Sequence, residues 1–363
     1  MWDFAAALPI EPEDAVTLGE GGTPLVRSEQ IGAWLGCDEV WIKDESRNPT
    51  WSHKDRLNSV AVSHARRVGA KVVTVCSSGN HGASAAAYAS AAGLRSVIFT
   101  LPDAPAALTA MMREYGALVV ATRKFEGRWE IMREAVRRLG WYPTGNFVSP
   151  PVGGNLYGIE GLKTIAYETW QQLGMRSPDW VVSPSLLADI LFGIGRGFDD
   201  IGRAVGGSSA PRLAAIERFG PITNALVSDL TFPVPVPTEH TVAISIGGGQ
   251  TTYHGLRAVR QSQGVGVKVS EEEILDARQI LARFGWLAEA SSAAAFAGLR
   301  KLIANGTIPQ NAAVVVILTS SGLKDLLELS PGPPPIPVIE PTIDDLNVAL
   351  TEHYGLDIQE LSS

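Results

Sequence analysis

The residue of this chain best placed for covalent chemistry is a lysine at the start of a predicted helix. An apolar stripe over residues 60–68 indicates a helix of about residues 53–68, with Lys54 in its first turn. The helix dipole disfavours a cation there, which lowers its pKa, and a neutral amine can attack a carbonyl carbon. A solvated lysine at a helix start would give the same pattern, so this segment alone leaves both interpretations open.

A second candidate is the turn of sequence SSGNHG at residues 77–82, between a predicted strand and a predicted helix. Backbone N–H groups at a helix start, together with serine hydroxyls, form an anion site suited to a carboxylate. Asn80 adds an amide that can donate to a phenolic oxygen. Ser, Gly and Asn are also common in ordinary turns, so the same residues fit a turn without a binding role.

The third candidate is the segment LTSSGLKD at residues 318–325, which follows the most apolar strand of the chain. It therefore lies at a strand C-terminal end, where α/β proteins bind ligands. The hydroxyl of Thr319 can hydrogen-bond a neutral ring nitrogen there. We expect no metal site, because the six histidines lack ligand spacing; His64 and His254 are interpreted as surface or core residues.

Two glycine segments are further candidates for ligand binding. The sequence GIGRG at residues 193–197 lies inside a helical pattern rather than at a strand–helix turn, which disfavours dinucleotide binding. The sequence GGG at residues 247–249 fits either a plain turn or a surface lining a cofactor ring.

Composition limits the class of protein. With 363 residues the chain exceeds the usual size of one core, so two domains are expected. A formal net charge of −8 and the lack of a basic face exclude nucleic acid as a partner. We find neither a signal-peptide pattern nor an apolar run long enough for a membrane span. Cys37 and Cys76 have no metal spacing, and we expect a cytoplasmic protein with both thiols reduced.

Strands alternating with helices predict an α/β fold with parallel sheets covered on both faces. Strands are predicted at residues 72–76, 96–100, 118–121, 180–183, 213–216, 241–246 and 314–318. Helices are predicted at residues 53–68, 81–92, 106–115, 191–204, 253–262, 271–284, 291–305 and 343–354, with a capping box at Ser270. The proline-rich residues 330–341 are interpreted as a stiff linker.

Five segments, in order, resemble the threonine synthase family of the fold-type II pyridoxal 5'-phosphate (PLP) enzymes, the superfamily of the tryptophan synthase β chain. They are LGEGGTPLV at residues 18–26, the lysine segment at 48–56, SSGNHG at 77–82, IEGLKT at 159–164 and TSSGLKD at 319–325. The resemblance covers roughly residues 17–326. It implies two domains, each with a largely parallel twisted sheet, and the cofactor between them. We expect a large PLP-binding domain of residues 1–54 and 147–329, a small domain of residues 55–146, and a linker with a C-terminal helix at 330–363.

The resemblance also implies roles for individual residues. Lys54 is similar to the Schiff-base lysine, which also moves the Cα proton of the substrate. Asn80 is similar to the partner of the cofactor ring hydroxyl. Thr319 is similar to the partner of the pyridine nitrogen, and a hydroxyl there suits elimination and replacement. The substrate carboxylate would be held by Ser77, Ser78, Asn80 and His81, the last through its backbone N–H.

The expected phosphate cup departs from the family pattern. The family has a Gly/Asn-rich loop here, whereas this chain has Ser183, Pro184, Ser185, Leu186, Leu187, Ala188 and Asp189. Ser183 and Ser185 would supply hydroxyls in place of the close backbone approach that glycine permits, and Asp189 would repel a phosphate. The loop VGGN at residues 152–155 resembles such a cup but falls elsewhere in the family order.

Two cations that the family uses for a substrate phosphate are replaced, by Leu108 and Gly158. Arg113, Arg123 or Lys163 would have to compensate. We therefore expect a threonine synthase-like PLP-dependent lyase that performs β- or γ-elimination or replacement on a small amino acid and is inefficient on O-phosphohomoserine. The alternatives are a threonine or serine dehydratase and a non-catalytic relative, which the altered cup would favour. We expect a homodimer.

Overall fold

Strands and helices alternate through most of the described residues, 1–206, 210–326 and 336–361 of a computed structural model. By contacts the chain divides into a unit Met1–Leu326 and a unit Leu327–Ser363. The strands are β1 Leu25–Arg27, β2 Glu39–Asp44, β3 Val72–Cys76, β4 Arg95–Thr100, β5 Leu118–Ala121, β6 Tyr142–Pro143, β7 Trp180–Pro184, β8 Arg212–Glu217, β9 Val265–Lys268 and β10 Ala313–Leu318. The helices are α1 Glu29–Leu35, α2 Lys54–Arg67, α3 Asn80–Ala91, α4 Ala106–Glu114, α5 Phe125–Leu139, α6 Leu156–Gln172, α7 Asp189–Val205, α8 Pro221–Val227, α9 Tyr253–Gln261, α10 Glu271–Arg283, α11 Ala290–Ala304 and α12 Ile343–Tyr354.

The strands of the first unit form two sheets that confirm the predicted α/β fold. The larger sheet has the order β1-β2-β10-β7-β8-β9, and its pairs are parallel except for β1 with β2. The smaller sheet has the order β5-β4-β3-β6 and is parallel throughout. Every residue of β10 is buried, as expected for an apolar, β-branched strand covered on both faces.

One predicted strand is wrong. The run TVAISI at residues 241–246 contains instead a short 3-10 helix, Ile244–Ile246. The Glu271 carboxylate accepts from the Val242 N–H at 2.6 Å and from the Thr241 hydroxyl at 2.6 Å. This side chain takes a donor that a sheet ladder would need, so the apolar run does not extend into a strand. The capping box predicted at Ser270, one residue before Glu271, is confirmed.

The glycines of residues 193–197 serve helix packing. A Cβ on Gly193 would lie 2.6 Å from the Cβ of Leu162, and one on Gly197 would lie 2.6 Å from the Lys163 carbonyl oxygen. Both glycines therefore let α7 approach α6 closely. This use explains the GIGRG sequence without a dinucleotide, as the position within a helix indicated.

A buried charge network anchors α2, the helix that begins with Lys54. The Arg56 guanidinium pairs with Glu45 at 2.7 Å and with Glu168 at 2.6 Å, and all three side chains are buried. Lys43 adds a 2.8 Å contact to Glu168. Buried charges are tolerated only when each is paired, so this network fixes α2 against β2 and α6.

The second unit contains the predicted C-terminal helix α12, whose bounds are confirmed. Thr342 caps it by accepting from the Asp345 N–H at 3.1 Å. Of the predicted proline-rich linker, residues 330–335 lie outside the described residues, and residues 336–341 form neither helix nor strand. The division of residues 1–329 into a large and a small domain stays a prediction. In the described part of the chain, no helix is long and apolar enough to cross a bilayer.

Candidate active site

Lys54 is the first residue of α2 and so lies in its first turn, as the sequence predicted, and its side chain is half-buried. Its Nζ atom has no hydrogen-bond acceptor in the described part of the chain. Burial lowers the pKa of this amine, while the Asp189 carboxylate opposes that shift. A lowered pKa increases the neutral fraction of the amine, which is the form that attacks a carbonyl carbon.

The candidate carboxylate loop lies at the start of α3, where Gly79 provides no side-chain cap. The backbone N–H groups of Asn80 and His81 have no acceptor among the residues described. The Ser77 hydroxyl accepts from the Gly79 N–H at 3.1 Å, which shapes the turn. The loop therefore presents N–H donors at the positive end of a helix, as an anion site requires.

Sequence reasoning missed a cation beside this loop, Arg128 of α5. Its guanidinium donates to the Ser78 hydroxyl at 3.2 Å, and the side chain is only 5% exposed. The Thr100 hydroxyl donates to the same oxygen at 3.1 Å. Arg128 thus adds a positive charge to the candidate anion site. Because α5 was not predicted, no sequence signal related Arg128 to Ser78.

The His81 imidazole is a neutral group in this site. Its Nε2 atom is buried without a hydrogen-bond partner among the described residues. Burial, together with the positive charge of Lys54, lowers the pKa of His81 to about 3. The imidazole therefore carries no charge near neutral pH. The role predicted for His81 uses its backbone N–H, so it does not depend on a charged side chain.

Asn80 has three polar neighbours that link the two sheets. Its Nδ2 atom donates to the Glu289 carboxylate at 2.7 Å, and its Oδ1 atom accepts from Lys324 Nζ at 2.6 Å. The Ser320 hydroxyl lies 3.2 Å from the same oxygen. Asn80 follows β3 of the smaller sheet, whereas Ser320 and Lys324 follow β10 of the larger one. Sequence reasoning assigned no role to Glu289 or Lys324.

Thr319 follows β10 and is buried, with its backbone fixed on both sides. Its N–H donates to the Ser292 hydroxyl at 2.8 Å, and its carbonyl accepts from the His53 N–H at 3.0 Å and from His53 Nδ1 at 3.2 Å. Burial lowers the pKa of His53 well below its usual value, so the neutral ring donates from Nδ1. The Thr319 hydroxyl has no partner among the described residues, which leaves it available to a ring nitrogen.

The predicted phosphate cup has unpaired backbone donors despite its side chains. The N–H groups of residues 186–191 have no acceptor in the described ranges, and the first bond of α7 is Phe192 N–H to Ala188 O at 3.0 Å. Ala188 adopts the left-handed conformation, with φ 61°. The Ser185 hydroxyl is buried without a partner among the same residues. These unpaired donors at a helix start fit a phosphate group.

The other predicted cup residues have neighbours of their own. The Ser183 hydroxyl donates to the Pro184 carbonyl at 3.2 Å, so its hydrogen is already used. Leu187 O accepts from the Thr252 hydroxyl at 2.7 Å. Leu186 lies against Gly248, where an added Cβ would stand 2.9 Å from Leu186 Cδ1. Glycine in the 247–249 segment therefore makes room for a leucine in the cup.

Asp189, the suspected repulsive charge, is held by groups beside the cup. Its carboxylate lies 2.8 Å from His254 Nε2 and accepts from the Gly154 N–H at 3.3 Å. Burial opposes ionisation, but the His254 hydrogen bond and the Lys54 charge keep the pKa of Asp189 below its usual value. The Gly154 N–H is therefore committed to Asp189. His254, interpreted from sequence as a surface or core residue, is the partner of this carboxylate.

At Leu108 and Gly158, the two positions where the family has cations, this chain has residues that pack against neighbouring segments. Leu108 is buried, and its Cδ1 lies 3.9 Å from where a Cβ on Gly79 would stand. A Cβ on Gly158 would lie 2.9 Å from the Leu57 carbonyl oxygen, because α6 lies close to α2. An arginine at residue 158 would require these helices to separate.

Of the three cations that the sequence proposed as replacements, one is paired with carboxylates and two are exposed. Lys163 is buried and pairs with Glu160 at 2.7 Å and with Asp200 at 3.0 Å. Arg113 and Arg123 are exposed. Lys163 therefore stabilises the packing of α6 with α7 rather than being solvated on a helix surface, which the sequence left possible.

This chain is similar to known proteins in both sequence and fold. The family model described as "Pyridoxal-phosphate dependent enzyme" matches residues 16–320. The threonine synthase of Methanosarcina acetivorans is 35% identical over 360 residues, covering 96% of this chain and 84% of that protein. The threonine synthase of Methanocaldococcus jannaschii is 33% identical over 334 residues, covering 90% and 80%.

Solved structures establish a shared fold at lower sequence identity. The L-serine ammonia-lyase of Rhizomucor miehei superposes with a TM-score of 0.71 at 21% identity, covering 85% of this chain and 95% of that one. Maize serine racemase superposes with a TM-score of 0.70 at 20% identity, covering 83% and 88%.

Proposed function

The chain belongs to the pyridoxal-phosphate-dependent enzymes, in the threonine synthase family, and from this premise we propose that it performs β- or γ-elimination or replacement on a small amino acid whose leaving group is not phosphate. It is a PLP-dependent lyase. The substrate, the site residues and the leaving group are our proposal, and the contacts described above support them.

The residues present fit the cofactor. Lys54 would hold it covalently as a Schiff base, since its amine is half-buried without an acceptor in the described part of the chain. The unpaired N–H groups of residues 186–191 and the Ser185 hydroxyl would hold its phosphate. Asn80 would donate to its ring oxygen, and the Thr319 hydroxyl would meet its ring nitrogen.

When bound, the cofactor supplies an electron sink that stabilises negative charge at the substrate Cα. Lys54 would move the proton at that carbon, because its lowered pKa brings the amine closer to the range of a general base. The Thr319 hydroxyl would leave the ring nitrogen unprotonated, since a hydroxyl is far too weak an acid to transfer its proton there. A general base at Lys54 and an unprotonated ring nitrogen together suit loss of a leaving group from the substrate.

The substrate carboxylate would be held by the loop at the start of α3. Asn80 and His81 would donate from the backbone, and the hydroxyls of Ser77 and Ser78 would complete the site. Arg128 supports the assignment because it directs a buried positive charge onto the Ser78 oxygen. An α-carboxylate bound at a helix start would fix the Cα of the substrate relative to Lys54.

The observation that carries the proposed leaving group is the packing of α6 on α2 at Gly158. The close approach to Leu57 leaves no space for a cation at residue 158, and Leu108 places an apolar side chain beside Gly79. A dianionic leaving group relies on charge-assisted contacts, both for binding and for the charge that develops as it departs. A smaller or uncharged leaving group has no such requirement.

A threonine or serine dehydratase is the second candidate, and the same two positions favour it, because a hydroxyl leaving group needs no phosphate-binding cations. The third hypothesis, a non-catalytic relative, depended on a degraded phosphate cup. The unpaired N–H groups of residues 186–191 remove that support.

Product analysis would decide between these candidates. The purified, PLP-loaded protein would be incubated with serine, threonine, homoserine and their O-acetyl and O-phospho esters. The first candidate predicts product from homoserine or from an O-acetyl ester, whereas a dehydratase predicts 2-oxo acid and ammonia from serine or threonine. A panel in which only phospho-esters react would refute the proposed leaving group, and a panel with no product would refute the reaction class.

We also propose that the protein works in the cytoplasm as a homodimer. The support for the compartment is that Cys37 and Cys76 are both free thiols. Sedimentation of the loaded protein would test the dimer, with a monomer as the contradicting result.

A further inference from the structure

Lys324 is a second buried lysine beside Asn80, and the proposed reaction assigns it no role. It is 3% exposed and belongs to a 3-10 helix, Gly322–Lys324, shortly after β10. Its Nζ lies 2.6 Å from Asn80 Oδ1. An ammonium has three hydrogens, and within the described ranges this is its one acceptor. Buried amines with so few partners are costly, so the position calls for an explanation.

The neighbours of Asn80 determine which way its amide points. Lys324 can only donate a hydrogen bond, so the atom facing it must be the amide oxygen. The Glu289 carboxylate accepts from Asn80 at 2.7 Å, so the atom facing it must be the amide nitrogen. Ser245 donates to the other Glu289 oxygen at 2.8 Å, which fixes that carboxylate in turn. The orientation of Asn80 is therefore set by charge and not by shape.

This arrangement leaves one donor of Asn80 unused. The Nδ2 group has two hydrogens, and Glu289 takes one of them. The second has no acceptor among the described residues. Asn80 is the residue that we propose as the partner of the cofactor ring oxygen, and this remaining N–H is the atom that would meet it. A cation on the carbonyl end of an amide polarises the group and strengthens its N–H donor.

We propose that Lys324 is a positioning residue that acts through Asn80, orienting the amide and strengthening its hydrogen bond to the ring oxygen of bound PLP. This inference rests on the proposed role of Asn80. Lys324 itself touches neither substrate nor cofactor in this proposal. Its charge stabilises the form of the cofactor in which the ring oxygen has lost its proton.

The charged groups around Lys324 come from several elements. Burial lowers its pKa to about 8, while Glu289 beside α11 and Asp55 of α2 act in the opposite direction. Asp55 accepts from Thr50, and burial raises its pKa to about 6. Asp325, next in sequence, is occupied by Arg278 at 2.8 Å. Lys324 therefore changes charge near pH 8, while Glu289 stays bound to Asn80 and Ser245.

The test is the absorbance of the loaded protein without substrate, so it is independent of which amino acid reacts. We would compare Lys324→Met with Lys324→Arg, which keeps the charge, and with Lys71→Met, which removes an exposed lysine. At pH 7 we expect Lys324→Met to lower the ratio of the visible band to the near-ultraviolet band about fivefold, the difference between a charge-assisted and a neutral hydrogen bond. Lys324→Arg should restore much of the ratio, and Lys71→Met should leave it unchanged.

The pH dependence separates this role from simple packing. In the wild type the ratio should fall as pH rises through about 8, where Lys324 loses its charge, and in Lys324→Met this step should be missing. If Lys324→Met does not fold, Lys324→Gln keeps a donor to Asn80 without the charge and should show the same loss of the step. A wild-type ratio in either neutral variant, or an unchanged step near pH 8, would overturn the proposal. A reaction panel without product would count against the proposed function and leave this spectroscopic result standing.

Discussion

The Asp189 carboxylate and the His254 imidazole lie 2.8 Å apart at the first turn of α7, beside the N–H groups proposed to hold the cofactor phosphate. A carboxylate at a helix start competes with any other anion for that end of the dipole. His254 and the Gly154 N–H bind the Asp189 carboxylate, so Asp189 competes less with a phosphate for the start of α7.

Replacing His254 by Ala should weaken PLP binding about tenfold, or ~1.4 kcal/mol, because the buried Asp189 charge then lacks its main partner. The measurement is fluorescence titration of the apo protein with PLP. The double variant His254→Ala with Asp189→Asn should restore the affinity. His64→Ala serves as the control, since that imidazole stacks on Tyr157 and bonds Tyr142 away from α7. Equal losses in the single and double variants would contradict this role of Asp189.

Replacing Lys54 by Ala should abolish the visible band that borohydride bleaches and the covalent adduct seen by mass spectrometry. The reason is that Lys54 is the half-buried amine at the start of α2 with no acceptor in the described part of the chain. Lys71→Ala removes an exposed lysine and should retain both signals. A reducible adduct that persists in Lys54→Ala would assign the linkage to another amine, and Lys324 would be the first to examine.

Replacing Thr319 by Asp should slow elimination about tenfold or more, or ~1.4 kcal/mol of barrier, because a carboxylate favours protonation of the ring nitrogen. Thr319→Ser keeps a hydroxyl with the same backbone contacts to His53 and should lose little activity. The comparison is made by single-turnover kinetics at saturating substrate. Equal rates for the aspartate variant and the wild type would remove Thr319 from the site.

How much of the site could be predicted from the sequence depends on whether a residue lies in a contiguous motif. Lys54, Asn80 and Thr319 each stand in a short segment next to a strand or helix end, so local patterns made them candidates and the family resemblance supplied their proposed roles. Lys324 lay inside such a segment but received no role, because its contact with Asn80 joins residues 244 positions apart. Arg128 and His254 lie in mid-chain helices, and only the packing of α5 and α9 brings them to the site.

Strands and helices were predictable where apolar runs and helix periodicity were strong. The prediction failed where a side chain takes a backbone hydrogen-bond donor. The strand expected at residues 241–246 is absent because Glu271 captures the Val242 N–H. How tightly the predicted phosphate cup binds stays a prediction. Its side chains suggested a degraded site, but the helix start retains its backbone donors whatever side chains surround it.

The cup also contains strain that glycine would relieve. Ala188 has φ 61°, a conformation that costs a residue with a Cβ ~1–2 kcal/mol. Ala188→Gly should raise the free energy of unfolding by up to ~1 kcal/mol, after the entropic cost of glycine, and should slow loss of PLP on dialysis. Leu186→Gly should also slow PLP loss, since it opens the approach to the backbone.

Met175→Gly is a matched control for Ala188→Gly, because Met175 has φ 63° but lies on an exposed turn after α6. It should gain stability without changing PLP release. Chemical denaturation and dialysis followed by absorbance give the two readouts. If the native protein retains PLP through long dialysis and the glycine variants only release it faster, another loop holds the phosphate.

The measurement that tests the central claim most directly is steady-state phosphate release from O-phosphohomoserine, compared with turnover of the best unphosphorylated substrate. Two missing charged contacts at ~1.5–3 kcal/mol each reduce kcat/KM by roughly two to four decades. We therefore predict slow phosphate release and little threonine, with Leu108→Lys raising the rate and lowering the preference for unphosphorylated substrates. Rapid phosphate release with threonine as product, at a rate ordinary for an enzyme of primary metabolism, would contradict the account, because Leu108 and Gly158 would then have no bearing on the leaving group.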